Sequence, residues 1–522
     1  MCGLIVSFGA PVEEREFDRL LDKMQHRGPD YRSTVQNWTG AQIGHCRLSI
    51  IGLTPASHQP YVSQSGRHII AFNGEIYNFR QLAKKHAVEL RTGSDTELLV
   101  ELFEKLGPPM IHELLGMFAF VIINKDTNEF FVARDRLGVK PLYVLEAEGR
   151  IVFSSEIAPL LSLKKNRTLD EFALRQYRAL RGFVNGRTPY VGIEMFPSGV
   201  YQIGRKRTRY WTLSPGDSKP PGDEEVEDLL RSAIRVRTLA DVKVGAFLSG
   251  GVDSAYISRI AEVGNTWSVG TPEDNEFEEA LETSKIIGTS HTNLMVSHGE
   301  FLDVAREMIQ LRGEPLAVPN EVLLYLLSKV AAPTNKVLLS GEGADELFLG
   351  YNRIFAWAAQ AGAFNVEGFA SYYGYERVNG DIELFEDAIG PFMHFGSAFR
   401  IVRAFFQTSH LQGLLRRLDN STMLAGVEGR APFTDHRLVE LMFSNRYDSQ
   451  SDGNNYKAQL RRIASRVLPP EIAYRNKVGF PVNFSKILGS LRPGEKREQK
   501  SHSYSGWFDF NLEILGAERR VN

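Results

Sequence analysis

The most reactive side chain stands second: the chain opens MCGLIVSFGA. If the initiator methionine is removed, Cys2 carries a thiol and a free α-amine on one residue. A thiolate, not a thiol, attacks carbonyl carbon, and the thiol needs a base to take its proton. An α-amine, with a pKa of roughly 8, is a candidate base near neutral pH. The segment AFNGEIYN adds Asn73, with its side-chain NH₂, and Gly74, whose backbone N–H approaches closely. Two such donors are what an oxyanion hole needs. RLSII places Arg47 at a strand, and TGSDTE places Asp95 at a helix entrance. A guanidinium pairs with a carboxylate and an aspartate with an ammonium, so the two could grip both ends of an α-amino acid. Each also has a plain structural reading, as a surface ion pair and as an N-cap.

A second set of residues suits phosphate. FLSGGVDSA follows an apolar strand and precedes a helical pattern. Its Gly250 and Gly251 let backbone N–H groups approach an anion, Ser249 and Ser254 add hydroxyls, and the helix start adds partial positive charge. It lacks the lysine of GxxxxGK[ST] and is not that motif. LLSGEGADELFLGY then brings Glu342, Asp345 and Glu346 within five residues. Mg²⁺ prefers carboxylate and phosphate oxygens with water; the plainer reading is an acidic helix N-terminus.

The elements that must carry these residues differ between the halves. GLIVSF, QIGHCRLSII, HIIAF, MFAFVIIN, EFFVARD and RIVFSS read as short strands, with a helical pattern from Thr96 to Leu106. Many strands and few helices predict two stacked sheets covered by helices. Residues 213–224 are almost devoid of apolar side chains and read as a linker. Beyond them KVGAFLS, TWSVGT and KVLLSG alternate with helical patterns, which predicts a parallel sheet with helices on both faces. From about residue 350 the chain reads as mostly helical, with a basic tail after Pro493. The expected division is 1–210, a linker 211–224, and 225–522.

Composition narrows the class. The 522 residues, 43% apolar and 24% charged, have the balance of a globular protein. A net charge of −2 gives no basic patch for nucleic acid or an anionic membrane. No apolar run reaches the roughly 20 residues of a membrane span, and no signal peptide is visible, so a cytoplasmic protein is expected. Two cysteines make no disulfide framework, and Cys46 in GHCRLS reads as core packing.

MCG, HRGPD, RLSI, FNGEIYN, SDTE, GMFAF, RDRLGVKPLY and FSSEI occur in order across residues 1–157. This set resembles the glutaminase domain of class II glutamine amidotransferases. The resemblance implies an α+β N-terminal-nucleophile domain, an αββα sandwich, in which Cys2 attacks the glutamine side-chain amide through a thioester. It assigns Arg47, Leu48, Ser49, Ile50, Ile51, Asn73, Gly74, Glu75 and Asp95 to glutamine. SGGVDS resembles the loop of the ATP pyrophosphatases. With EGRAPFTD (428–435) and RNKVGFP (475–481), it resembles the synthetase domain of glutamine-hydrolysing asparagine synthetases. That implies an α/β domain with a parallel sheet and a helical C-terminal part, with ATP and Mg²⁺ required. Ser249, Gly250, Gly251 and Ser254 then form the pyrophosphate loop, and Leu248, Val269, Ser340 and Gly341 match nucleotide contacts. Asp253 and Asp345 match the magnesium–pyrophosphate site, Glu342 the residue of the aspartyl-AMP step, and Lys477 a lysine that stabilises transition-state charge.

The implied reaction is a relay. A carboxylate attacks the α-phosphate of ATP, pyrophosphate leaves, and glutamine-derived ammonia, shielded in an interdomain channel, attacks the acyl-AMP; RDRLGVKPLY is expected to help line the domain junction. Aspartate is the expected acceptor, and a homodimer is compatible with this reading. The acceptor side departs from the family pattern: Asn420 stands where a basic residue is usual, and APFTD replaces VPFLD. Another carboxylate is therefore the alternative. A ring-forming relative of β-lactam synthetases and a non-catalytic sensor are disfavoured by Cys2 and the intact FNGE, SDTE and SGGVDS segments.

Overall fold

A computed structural model describes residues 2–33, 36–38, 40–214, 220–375, 381–450, 456–476, 482, 484, 486–487 and 503–516. The first strands are β1 (Cys2–Gly9), β2 (Tyr31–Arg32), β3 (Gln36–Trp38), β4 (Ala41–Arg47), β5 (Tyr61–Val62) and β6 (His68–Ile76). They continue as β7 (Gly116–Asn124), β8 (Phe130–Arg134), β9 (Tyr143–Ala147), β10 (Arg150–Ser154), β11 (Ile193–Met195), β12 (Val200–Ile203) and β13 (Lys206–Arg209). One antiparallel sheet runs β11-β9-β10-β1-β4-β2, with β3 also on β4, and the other runs β13-β12-β8-β7-β6-β5.

The period of two along each strand explains the layering. Leu4, Val6 and Phe8 of β1 face Ile69, Ala71, Val121 and Val132 between the sheets. Ile5 points the other way, into a layer with Phe17, Leu20 and Leu21 of the helix Glu14–Asp22. Phe118, Phe120 and Ile122 turn outward from the second sheet onto Leu98, Leu99 and Leu102 of the helix Asp95–Leu106. Strands buried on both faces thus read as unbroken apolar runs. Ser94, not Asp95, caps that helix, accepting from the Glu97 N–H at 3.2 Å.

The second unit is a parallel sheet of β14 (Val244–Phe247), β15 (Asn265–Gly270), β16 (Ser290–Met295), β17 (Val337–Leu339) and β18 (Glu428–Arg430), ordered β16-β15-β14-β17-β18. Helices cover both faces, with Leu230 and Ile257 in one apolar layer and Phe301 and Leu323 in another. No helix among the described residues is long and apolar enough to cross a membrane.

The two units share one apolar cluster, which holds Phe118 of β7 and Leu339 of β17 together. Charged groups are buried there too. The Arg27 guanidinium donates to Cys2 O at 3.1 Å, Glu156 Oε1 at 3.2 Å and Asp419 Oδ2 at 2.8 Å. Asp419 also accepts from Lys140 Nζ at 3.3 Å, so RDRLGVKPLY does reach the junction. Burial pushes the Glu156 carboxyl up, but His26 and Arg27 outweigh it and hold the group at about 2.

Buried ions tolerate burial only while paired, and deleting one partner costs about 3–5 kcal/mol. Asp419→Leu takes the carboxylate from Lys140 and leaves Arg27 with Glu156 alone, so urea unfolding should show a loss of about that size. Arg27→Met, which leaves Asp419 its lysine, should cost less. Equal, small losses in both variants would rule out this account of the junction.

Candidate functional site

Cys2 begins β1 and pairs with Arg47 at the end of β4. Its nitrogen donates to Asn73 Oδ1 at 3.0 Å, across from the first sheet to β6 of the second. Burial pushes the Cys2 thiol up, while the Leu48 N–H and the Arg47 charge pull it down. Asn73 Nδ2 is buried without a hydrogen-bond partner, a donor aimed at nothing the protein supplies. Gly74 adopts φ +152°, and a Cβ there would lie 2.1 Å from Met117 O on β7. That close approach explains the glycine.

Loop 48–54 wraps around Arg47, whose guanidinium donates to Ile51 O at 3.0 Å and Gly52 O at 2.6 Å. The same loop is tied to the second unit, since Gly52 N–H donates to Asp241 Oδ2 at 2.8 Å and Asp241 N–H to Ile50 O at 2.9 Å. Ser49 N–H donates to Asp30 at 2.7 Å, and Asp30 in turn takes Lys336 Nζ at 2.8 Å. Asp95 Oδ2 accepts from Ile76 N–H at 3.0 Å. Burial pushes the Asp95 carboxyl up to about 6, opposed by the backbone N–H groups of Ile76 and Thr96. Burial, Asp95 and Glu428 raise Glu75 further, and Arg430 of the second unit only partly offsets them. Arg430 Nη2 lies 3.5 Å from Glu75 Oε1. Cys46, by contrast, is core: burial drives its thiol to about 12.

In the second unit, β14 ends in the SGGVDS loop and the helix Val252–Ala261 begins at its far side. Ser254 Oγ accepts from Ser249 N–H at 3.0 Å, and Ser249 Oγ accepts from Gly251 N–H at 3.2 Å, so the hydroxyls shape the turn. A cavity of about 240 Å³ opens over it. Leu248, Ser249, Gly251, Asp253, Ser254, Val269, Ser340 and Gly341 all line it, joined by Glu342 and Asp345. Gly250 is absent from the wall and donates instead to Glu276 at 3.3 Å. Glu346 does not join its acidic neighbours: it turns into the core, accepting from Tyr351 OH at 2.7 Å, because the one-turn helix Ala344–Leu347 sends successive side chains apart. Lys477 lies outside the described residues.

Among the described residues no three His, Cys, Asp or Glu side chains converge as a metal cage. Asp253 and Asp345 nevertheless face one point, where Lys457 Nζ stands 2.6 Å from one and 2.8 Å from the other. Two carboxylates on a phosphate-sized cavity fit Mg²⁺, which takes few protein ligands and completes its shell with phosphate and water. Lys457, Arg430 and Asp419 carry no signal of their role in sequence spacing, because the partners that matter lie about 110 to 390 residues away. Arg27 and Arg430 do fall inside the motifs HRGPD and EGRAPFTD.

A thiol-centred amide site joined through a buried junction to an SGGVDS cradle defines a two-domain ligase that moves nitrogen. Residues 225–501 match the family described as Asparagine synthase, and residues 1–211 match that described as Glutamine amidotransferase domain. The chain belongs to the asparagine synthase family, whose members are glutamine-dependent, amide-forming ligases that use ATP. It is 28% identical to the glutamine-hydrolyzing asparagine synthetase B of Escherichia coli, over 92% of this chain and 82% of that protein. It is 27% identical to the glutamine-hydrolyzing asparagine synthetase 1 of Bacillus subtilis, over 92% and 87%.

If the orphaned Asn73 amide is a transition-state donor, Asn73→Ala should slow glutamine hydrolysis by about 10²–10³-fold. ATP–pyrophosphate exchange in the other unit should be unchanged. Hydrolysis at the wild-type rate would remove Asn73 from the oxyanion site.

Proposed function

We propose that this protein makes asparagine from aspartate, ATP and glutamine, with residues 1–210 as glutaminase and 225–522 as synthetase, joined by the linker 211–224. The observation that carries this reading is the hydrogen bond from the Cys2 nitrogen to Asn73 Oδ1, with Arg430 lying 3.5 Å from the neighbouring Glu75 and accepting at its carbonyl from Ser340 of the SGGVDS cavity wall.

Once Met1 is removed, that nitrogen is the α-amine held 3.0 Å from Asn73 and positioned to take the Cys2 proton. Asn73 Nδ2 and the Gly74 N–H stabilise the oxyanion as Cys2 attacks the glutamine amide. Asp95 and Glu75 receive the α-ammonium of glutamine, and Arg47 holds loop 48–54 around its carboxylate. Water later clears the thioester as glutamate. Ammonia leaves past Glu75, Tyr77 and Arg430, whose Oε2, hydroxyl and Nη2 are buried without hydrogen-bond partners. Such atoms suit a small polar traveller. In the cavity, Ser249, Gly251 and Ser254 cradle the phosphates, while Leu248, Val269, Ser340 and Gly341 hold the nucleoside. The aspartate side-chain carboxylate attacks the α-phosphate, pyrophosphate leaves, and ammonia then displaces AMP. Glu342 is placed on the same wall to take a proton from the attacking nitrogen, and Lys477 would stabilise charge in the transition state. Mg²⁺, when bound, would be held by Asp253 and Asp345 and would neutralise charge on the pyrophosphate.

ATP–pyrophosphate exchange across a panel of carboxylic acids tests the acceptor. Aspartate should support exchange; exchange with another acid and none with aspartate would rule aspartate out. A pH profile tests the glutamine end. Asp95 is protonated below about 6 and charged above it. Since only the charged form pairs with an ammonium, kcat/KM for glutamine should fall about tenfold per pH unit below that point. An identical acid limb in Asp95→Asn would show that another group produces it.

A further inference from the structure

The steps above make no use of Lys457, yet its placement is among the most constrained in the second unit. Its Nζ sits 2.6 Å from Asp253 Oδ2 and 2.8 Å from Asp345 Oδ1, and the side chain is 6% exposed. The residue precedes the helix Ala458–Ala464 with φ +58°, the left-handed region that non-glycine residues rarely occupy. Gly350 closes the other side, since a Cβ there would fall 1.7 Å from Asp345 Oδ1 and 2.8 Å from Lys457 Cε. Asp253 Oδ1 is buried with no hydrogen-bond partner, one acceptor more than the lysine satisfies.

An ammonium therefore stands at the point between two carboxylates that a divalent cation would need. Two cations cannot share it: at a few ångströms their repulsion is several kcal/mol even at an effective dielectric of about 20. We propose that Lys457 is an exchangeable counter-ion of the nucleotide site. It neutralises Asp253 and Asp345 while the site lacks nucleotide, and it yields them to Mg²⁺ only when the cation arrives with ATP phosphates. The inference rests on the assignment of Asp253 and Asp345 to magnesium. Its consequence is that metal binding is conditional. Bare Mg²⁺ must displace a paired ammonium and leave it beside a dication, whereas Mg²⁺ on a nucleotide brings the negative charge that balances the displaced lysine. Lysine suits this role better than arginine, because its compact charge sits on a flexible four-carbon stem.

The test is titration of the full-length, nucleotide-free protein with Mn²⁺, read by electron paramagnetic resonance. Wild type should bind weakly at this site. Lys457→Met should bind at least about tenfold tighter, because the competing charge is gone. Lys457→Arg, which keeps the charge, should stay weak. Because Lys457→Met removes the ammonium between the two carboxylates, its thermal midpoint should rise on adding Mn²⁺ while that of wild type does not. Should Lys457→Met fail to fold, Lys457→Gln takes its place in the same titration. A natively folded variant at either position with wild-type Mn²⁺ affinity overturns the exchange. The magnesium assignment is read separately, from the Mg²⁺ dependence of ATP–pyrophosphate exchange in Asp345→Asn: an unchanged dependence removes that assignment whatever Lys457 does.

Discussion

Everything in the arrangement depends on a guanidinium that cannot reach water. Arg430 is fully buried and ends the edge strand of the parallel sheet. Its carbonyl accepts from Ser340 N–H at 2.8 Å, which continues the sheet into the wall of the SGGVDS cavity. Its side chain serves other masters: it pairs with Glu428, donates to Arg237 O at 2.7 Å and Leu239 O at 2.8 Å, and faces Glu75 of the amide site. Removing such a charge from water costs several kcal/mol unless every side of it is met. The junction meets most of it with Glu428 and two carbonyls, and leaves Nη2 to face Glu75 at 3.5 Å without a hydrogen bond.

That constraint propagates in both directions. Parallel pairing matches Val337 with Glu428 and Leu339 with Arg430, so the position of Arg430 fixes where β17 ends and where Ser340 and Gly341 begin. On the other side, Glu75 and Asp95 share a buried pocket in which each raises the cost of the other's charge. Arg430 and the backbone N–H groups are what make a charged state affordable there. Glu428 sits at about 2 against the opposing pull of burial, because Arg430 holds it charged. The protonation of Glu75 is thus set partly by residues of the parallel sheet. Arg27 repeats the design at a second point, one guanidinium touching the Cys2 carbonyl, Glu156 and Asp419 of the helix Leu411–Leu424.

What could be read from the sequence follows from the range of the interaction. Cys2, the FNGE segment at the end of β6 and the SGGVDS loop are legible because the residues that define each lie within ten positions of one another. The two stacked sheets are legible because short apolar, β-branched runs and the turn residues between them are local too. Lys457 is not, since nothing around YKAQLRR marks it as the partner of residues 204 and 112 positions away. Asp419 looks like an ordinary helix residue until Arg27 and Lys140 arrive from the first unit. Glu346 misleads in the opposite sense. Proximity in sequence groups it with Glu342 and Asp345, but one helical turn rotates it into the core toward Tyr351.

The substitution at Asn420 takes on meaning in the same terms. A basic side chain here would enter a buried cluster already organised by Arg312, which holds Glu314 and Glu321 at 2.7 Å each. Asn420 instead donates a neutral hydrogen bond to Glu314 at 3.0 Å. Glu321 reaches the cavity wall, but its carboxylate is already engaged by Arg312 and by the N–H groups of Ala317 and Val318. It is not free to repel or to bind. Arg417 is then the one Arg or Lys on the described cavity lining. The departure from the family pattern thus exchanges a buried charge beside Glu314 for an uncharged donor and leaves Arg417 as the cation on the described lining.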